Sequence, residues 1–263
     1  MKRILFILIV LVFLTAQAFA RTGYYAGAGS AAAPAFTYYS AVFDGANDYL
    51  SKAEAITGLT DTKVGLISFW IKETTAFDSH IIMGATSGFL TLKRAATSYP
   101  DILAYDGGST ERLHLTSTAQ VYNDGNWHHV LISWDLAQAD KSWIYVDGAD
   151  ATTRTTHSDG ALNLDVADWG IGAAADGSSK TAATLCEFYF TNEYLDISVQ
   201  GNREKFRTSG GKPANLGANG STPTGTQPLV YFHNAVTDWD NNLGSGGAFT
   251  ENGAVADGGA DIP

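Results

Sequence analysis

Apolar and polar residues alternate with a period of two along most of this chain, in short runs separated by turn residues. Such runs fall at residues 38–43, 64–72, 80–84, 89–93, 101–105, 112–116, 127–135, 142–147, 168–172 and 184–191. Alternation sends successive side chains to opposite faces of a pleated strand, so each run can bury one face and show the other. Many short strands with little helical periodicity between them predict an all-β fold, an antiparallel β-sandwich. One short helix near the C-terminus is predicted over residues 196–206, where Asp196 or Ser198 would cap the first turn. A last strand is predicted over 228–233, after a stretch rich in Gly, Pro, Ser and Thr.

The run at 127–135 is largely apolar on both faces. Trp127, His129 and Leu131 share one, and His128, Val130, Ile132 and Trp134 the other. A strand covered on both sides lies in the middle of a sheet. The run at 142–147 ends in Asp147-Gly148, a hairpin-turn signal. Along it Ile144 and Val146 share one face and Trp143 and Tyr145 the other. If the first pair packs the core, the second faces outward.

The first 20 residues follow a different pattern: Lys2 and Arg3, an apolar run from Ile4 to Leu14, then small residues ending at Ala18 and Ala20. This is the three-part layout of a secretory signal peptide, with cleavage expected after Ala20. The apolar run is shorter than the roughly 20 residues a bilayer span requires. The expected location is therefore secreted, periplasmic or cell-surface, with no membrane span after cleavage.

Asp124, Asn126, Trp127, His128, Val130 and Trp134, followed by Trp143, Tyr145, Asp147 and Gly148, form a hairpin that resembles the signature of concanavalin A-like and laminin-G-like jelly rolls. Residues 41–50 and 66–72 are similar to that family's first two strands, and residues 183–192 to its late core strand. Four matches in order over about 150 residues imply the lectin/glucanase superfamily fold. The ending, with Asn202, Phe206, Gly211, Pro213, Gly220, Gly225 and Phe249, resembles a subgroup seen in phage and bacterial proteins of unassigned role. The expected layout is a signal peptide at 1–20, a flexible Gly/Ala-rich leader at 21–39, a single jelly-roll domain at 40–255 and a C-terminal tail at 256–263. Residues beyond 200 hold one convincing apolar strand, too little for a second core.

The net charge of −11 argues against nucleic acid or an anionic membrane as partner, since both would repel the chain. The single cysteine, Cys186, has no intramolecular partner and reads as a buried strand residue.

Catalytic signatures are missing. The superfamily's hydrolases carry Glu-x-Asp-x-x-Glu on one strand; here Glu187 is followed by Tyr189 where the Asp belongs. None of the six histidines forms a His-x-His or His-Glu-x-x-His pattern, and His128 and His129 point to opposite faces. No Gly-x-Ser-x-Gly elbow supports a Ser-His-Asp triad. The loop from Asp238 opens like a calcium hand but has Leu243 and Phe249 where Gly and Glu belong, and Asn219-Gly-Ser221 is explained by its turn-rich setting. No cofactor is required. The turn holding Asp44, Asn47 and Asp48 offers oxygen ligands of the kind a structural calcium takes, although the same residues also make a plain turn.

These readings describe an exported, non-catalytic, lectin-like binding module for a polysaccharide or glycan. Trp143, Tyr145 and Tyr105 are the candidate sugar platform, with Asp106 and Arg112 as polar partners. Two alternatives stand beside it. One is a structural or adhesion protein of a cell surface or virion that contacts protein, and the other a divergent glycoside hydrolase or lyase.

Overall fold

The computed structural model describes residues 36–73, 81–94, 99–121 and 123–263. The signal sequence, its cleavage position, the leader up to residue 35 and His80 lie outside the described residues. Residues 36–263 pack as one unit. In chain order its strands are β1 (Ser40–Asp44), β2 (Tyr49–Lys52), β3 (Val64–Lys72), β4 (Ile81–Ala85), β5 (Leu90–Arg94), β6 (Pro100–Tyr105), β7 (Glu111–Ser117) and β8 (Trp127–Asp135). They continue with β9 (Ser142–Val146), β10 (Ala149–Asp150), β11 (Thr152–His157), β12 (Trp169–Ile171), β13 (Ala182–Thr191), β14 (Val230–Phe232), β15 (Thr250–Asn252) and β16 (Ala256–Asp257).

These strands form two antiparallel sheets. The first runs β10-β9-β8-β3-β13-β1-β16, with β14 also beside β13; the second runs β11-β7-β6-β5-β4-β12-β2-β15. The antiparallel sandwich expected from the alternation, with the jelly-roll form that the resemblance implied, is the fold observed. Its core lies between the sheets, where Phe69, Ile132, Phe188 and Phe190 of the first meet Leu92, Ile102, Leu115 and Trp169 of the second.

Two glycines show how local sequence sets this packing. Gly65 pairs with Trp134 across β3 and β8, and a Cβ there would lie 2.2 Å from the indole ring. Asp147 and Gly148 have φ of 50° and 84°, the paired left-handed geometry of a tight hairpin, and they fold β10 back onto β9.

The C-terminal third returns to both sheets. Val230–Phe232 pairs with Phe188–Phe190, Thr250–Asn252 with β2, and Ala256–Asp257 with β1. Part of the segment read as a tail is thus strand. Beyond it, Asp261 accepts hydrogen bonds from Lys72 Nζ at 2.8 Å and Trp127 Nε1 at 3.0 Å.

The helix expected over 196–206 shrinks to α1 (Gln200–Arg203). Asp196 does not cap it. Its carboxylate accepts the Ser198 N–H at 3.1 Å and Lys141 Nζ at 2.8 Å, which ties the residue into a preceding turn. Residues 195–216 instead drape over the outer face of the first sheet, where Ile197, Phe206 and Leu216 pack on Leu66, Leu131, Tyr145 and Tyr189. Among the described residues no helix is long and apolar enough to cross a membrane.

Candidate functional site

The outer face of the second sheet is open. Leu90, Leu92, Ile102 and Ala104 point into the core, so alternation turns Thr91, Lys93, Leu103 and Tyr105 outward. Two hollows of about 410 and 400 Å³ lie on this face with Ser87, Gly88 and Thr91 lining both, and the two side by side make up the groove. Phe89, Leu103 and Tyr105 wall its first half, and Asp168, Asp176 and Ser178 stand in its second. The Tyr105 N–H donates to Phe89 O at 2.9 Å, which holds the two aromatic residues side by side.

Asp106 and Arg112 fasten the loop behind Tyr105. The Asp106 carboxylate accepts the Gly108 and Thr110 N–H groups and Arg112 Nε, each at 2.9 Å. The Thr110 N–H foremost, with Arg112 and Gly108, holds that carboxyl below its usual range. Arg112 also donates from Nη1 to Asp159 O at 3.1 Å. Both residues therefore spend their polar atoms on the loop that follows Tyr105.

Trp143 and Tyr145 are elsewhere. They share the outward face of β9, as the alternation required, but that strand belongs to the first sheet and the face is covered. Tyr145 is 7 % exposed, with the Arg203 guanidinium 4.4 Å over its ring, and Arg154 lies 4.3 Å over Trp143. The three aromatics offered as one platform thus divide between two sheets, with Asp106 and Arg112 on the side of Tyr105. Phe89, Thr91, Lys93 and Leu103 were not singled out from the sequence, although the alternation of 89–93 already set Thr91 and Lys93 apart from Leu90 and Leu92.

In glycoside hydrolysis the general acid has a raised pKa. Asp176 is held below its usual range, by the Ser178 hydroxyl first and the Ser178 N–H second. Among the described residues Glu187 is a carboxyl that burial pushes up, against the pull of His233 and Tyr231. It lies on the first sheet, 2 % exposed, bonded to His233 Nδ1 and to the Tyr231 hydroxyl at 3.0 Å. A bulge puts it there. Cys186 opposes Trp70 and Tyr189 opposes Ser68, so β13 carries one residue more than β3, and Glu187 takes φ of 51°.

The two adjacent histidines have separate partners. His128 lies between Asp147 Oδ2, 2.6 Å from its Nδ1, and Asp124 Oδ2, 3.0 Å from its Nε2. Hydrogen bonding to Asp147 first, and then to Asp124, raises its pKa to about 9 against the cost of burial. His129 is buried beside Trp70 with Nε2 2.9 Å from Ser68 Oγ, and burial pushes its pKa down to about 3.

The turn considered for calcium is held by its own backbone. Asp44 Oδ1 accepts the N–H groups of Ala46, Asn47 and Asp48 at 2.7, 3.0 and 3.2 Å. Asp48 accepts the Asp44 N–H at 3.2 Å and the Ala254 N–H at 2.8 Å, one on each oxygen. Among the described residues no group of three or more His, Cys, Asp or Glu could hold a metal.

A family model described as the concanavalin A-like lectin/glucanases superfamily matches residues 44–196. The fold is similar to that of a proposed carbohydrate binding protein from Bacteroides ovatus ATCC 8483, at 14 % identity and a TM-score of 0.60 over 86 % of this chain. The match spans 61 % of that protein's chain. A heptameric pentraxin of the SAP-like type from Limulus polyphemus matches at 14 % identity and a TM-score of 0.52, over 86 % of this chain and 97 % of the pentraxin. Domains LG4-5 of the mouse laminin alpha1 chain match at 18 % identity and a TM-score of 0.45, over 64 % of this chain and 45 % of theirs. Curated protein sequences yield no match.

Proposed function

The chain belongs to the concanavalin A-like lectin/glucanases superfamily, and from that premise we propose that it is an exported, non-catalytic module that holds a polysaccharide or glycan in the groove of its second sheet. The observation that carries this reading is the groove itself. Sugars offer apolar C–H faces and many hydroxyls, and here Phe89 and Tyr105 stand beside Thr91, Lys93 and Ser87. The second hollow lies beside the first across Ser87, Gly88 and Thr91, which suits a chain of sugar units better than a single ring. Tyr105 is the central contact, and Asp106 and Arg112 hold the loop that follows it. The two acids of the groove serve as hydrogen-bond acceptors for sugar hydroxyls.

Affinity electrophoresis of the mature chain through soluble β-glucans, galactans and other polysaccharides tests the proposal. At least one polymer retards the protein, with no release of reducing ends. Tyr105→Ala weakens that retention roughly tenfold, the effect of losing one aromatic contact of about 1 kcal/mol or slightly more, while the melting temperature hardly moves. No retention by any polymer, or unchanged retention in Tyr105→Ala, overturns the groove reading. Retention by a protein surface alone favours the adhesion alternative.

A further inference from the structure

A backbone with φ near +60° costs free energy in any residue that has a Cβ, whereas glycine adopts it freely. Among the described residues eight that are not glycine have a positive φ. Three of those eight line the groove: Ser87 at 52°, Ser109 at 60° and Asp168 at 58°. Each is fixed by its neighbours. The Phe89 N–H donates to Thr86 O at 3.2 Å and closes the turn that carries Ser87. The Ser109 N–H donates to Asp106 O at 3.0 Å, and the Asp106 carboxylate takes the N–H groups on either side of it. Asp168 precedes Trp169, a buried core residue whose Nε1 donates to Val166 O at 2.9 Å.

All three side chains are exposed and make no hydrogen bond or ion pair among the described residues. For the fold alone, glycine would serve at each position. Strained residues of this kind gather where a surface must aim a side chain outward, and these three are spread along the groove. Ser109 lines the first hollow, Asp168 the second, and Ser87 both. We infer that Ser87, Ser109 and Asp168 are the specificity-determining residues of the groove, and that the glycan they select spans at least two neutral sugar units. One unit offers hydroxyls to Ser109, the next to Asp168, and the bond between them lies at Ser87. The units are neutral because Asp168 and Asp176 line the second hollow with no cation among its lining residues, so an acidic unit is repelled there. The inference rests on the groove reading and adds to it which residues choose the ligand.

Ser87→Gly, Ser109→Gly and Asp168→Gly each remove the side chain and relax the backbone, so each melts within about 2 °C of the unmodified chain. Asp140→Gly is the control, since Asp140 has φ of 60°, lies in the turn between β8 and β9 and lines neither hollow. The variants are run in affinity electrophoresis through laminarin, mixed-linkage β-glucan, galactan, galactomannan and polygalacturonate, with mobility referred to a polymer-free gel. Each groove variant loses about three- to tenfold in retention by a neutral polymer, the effect of one lost hydrogen bond, and Asp140→Gly loses none. The unmodified chain also binds the tetrasaccharide of the retarding polymer at least about tenfold more tightly than its monosaccharide, and Ser87→Gly narrows that ratio. The length comparison needs no variant, so it decides the matter whatever the variants' stability. Unchanged retention in the three groove variants, an equal loss in Asp140→Gly, a tetrasaccharide no tighter than the monosaccharide, or polygalacturonate held as tightly as any neutral polymer overturns the inference. In each of those cases the groove reading survives if Tyr105→Ala still weakens retention. No retention by any polymer overturns both.

Discussion

His128 and His129 are neighbours in sequence, yet the fold drives their protonation in opposite directions. His128 is held charged by Asp147 and Asp124, whereas burial beside Trp70 keeps His129 neutral. Because folding raises the His128 pKa from 6.5 to about 9, its contribution is complete below pH 6.5 and disappears as pH rises through about 9. Burial pushes Asp124 up, but the Asn126 N–H and the His128 ring outweigh it and hold it at about 2; that contribution is present above pH 3.8 and lost towards pH 2. His129, lowered to about 3, favours the folded state above pH 6.5 and progressively less as pH falls from there towards 3. At face value the His128 shift is worth about 3 kcal/mol, and screening at its partly exposed partners leaves about 1–2 kcal/mol. Wild type should therefore melt several degrees above His128→Asn at pH 6, and the gap should close by about pH 10; calorimetry across that range checks it, and a gap that persists at pH 10 contradicts the ion-pair assignment. At this scale the sequence was only partly legible. That Trp143 and Tyr145 share a face follows from alternation, but what covers that face depends on residues 195–216, far along the chain.

Among the elements, β3 and β8 have the bounds read from their patterns, because long apolar runs with polar or turn residues at each end leave little freedom. β11 escaped notice. Thr152–His157 is an edge strand with no alternation of apolar residues, and its only signal was threonine, whose branched side chain favours strands weakly. The bulge at Glu187 was equally hidden, since one extra residue in a strand leaves the composition unchanged and only the pairing partner reveals it. β14 fills the place beside β13 beyond the bulge, and residues 195–216 shield the same outer face. Ending the chain after Asn192 removes both, leaving an apolar face and an unpaired strand edge. That truncated chain should be insoluble in a soluble-fraction assay. A soluble product that melts cooperatively at the full-length midpoint would mean that the C-terminal third is a separate unit.

For the molecule as a whole, the fold was legible because its signals are redundant. A hairpin with apolar faces, ten alternating runs and turn residues at regular intervals all point to one sandwich. The groove was less so. It is assembled from the outward positions of β5 and β6 and the turn at Thr86–Gly88, none of which is unusual alone. Our proposal that the chain is exported rests on its first 20 residues. Mass spectrometry of secreted material should find a mature N-terminus at Arg21, and intact Met1 in a soluble cytoplasmic fraction would refute export.

The pairing of Ala41 with Asp257 and of Val42 with Ala256 has a geometric consequence. Neighbouring strands are about 4.8 Å apart, so the first strand and the last leave the sandwich at the same edge. Anything tethered to either end departs from one point, like two cords from a single knot. The body can be set into a longer polymer as a side-hung bead without being stretched across its own width.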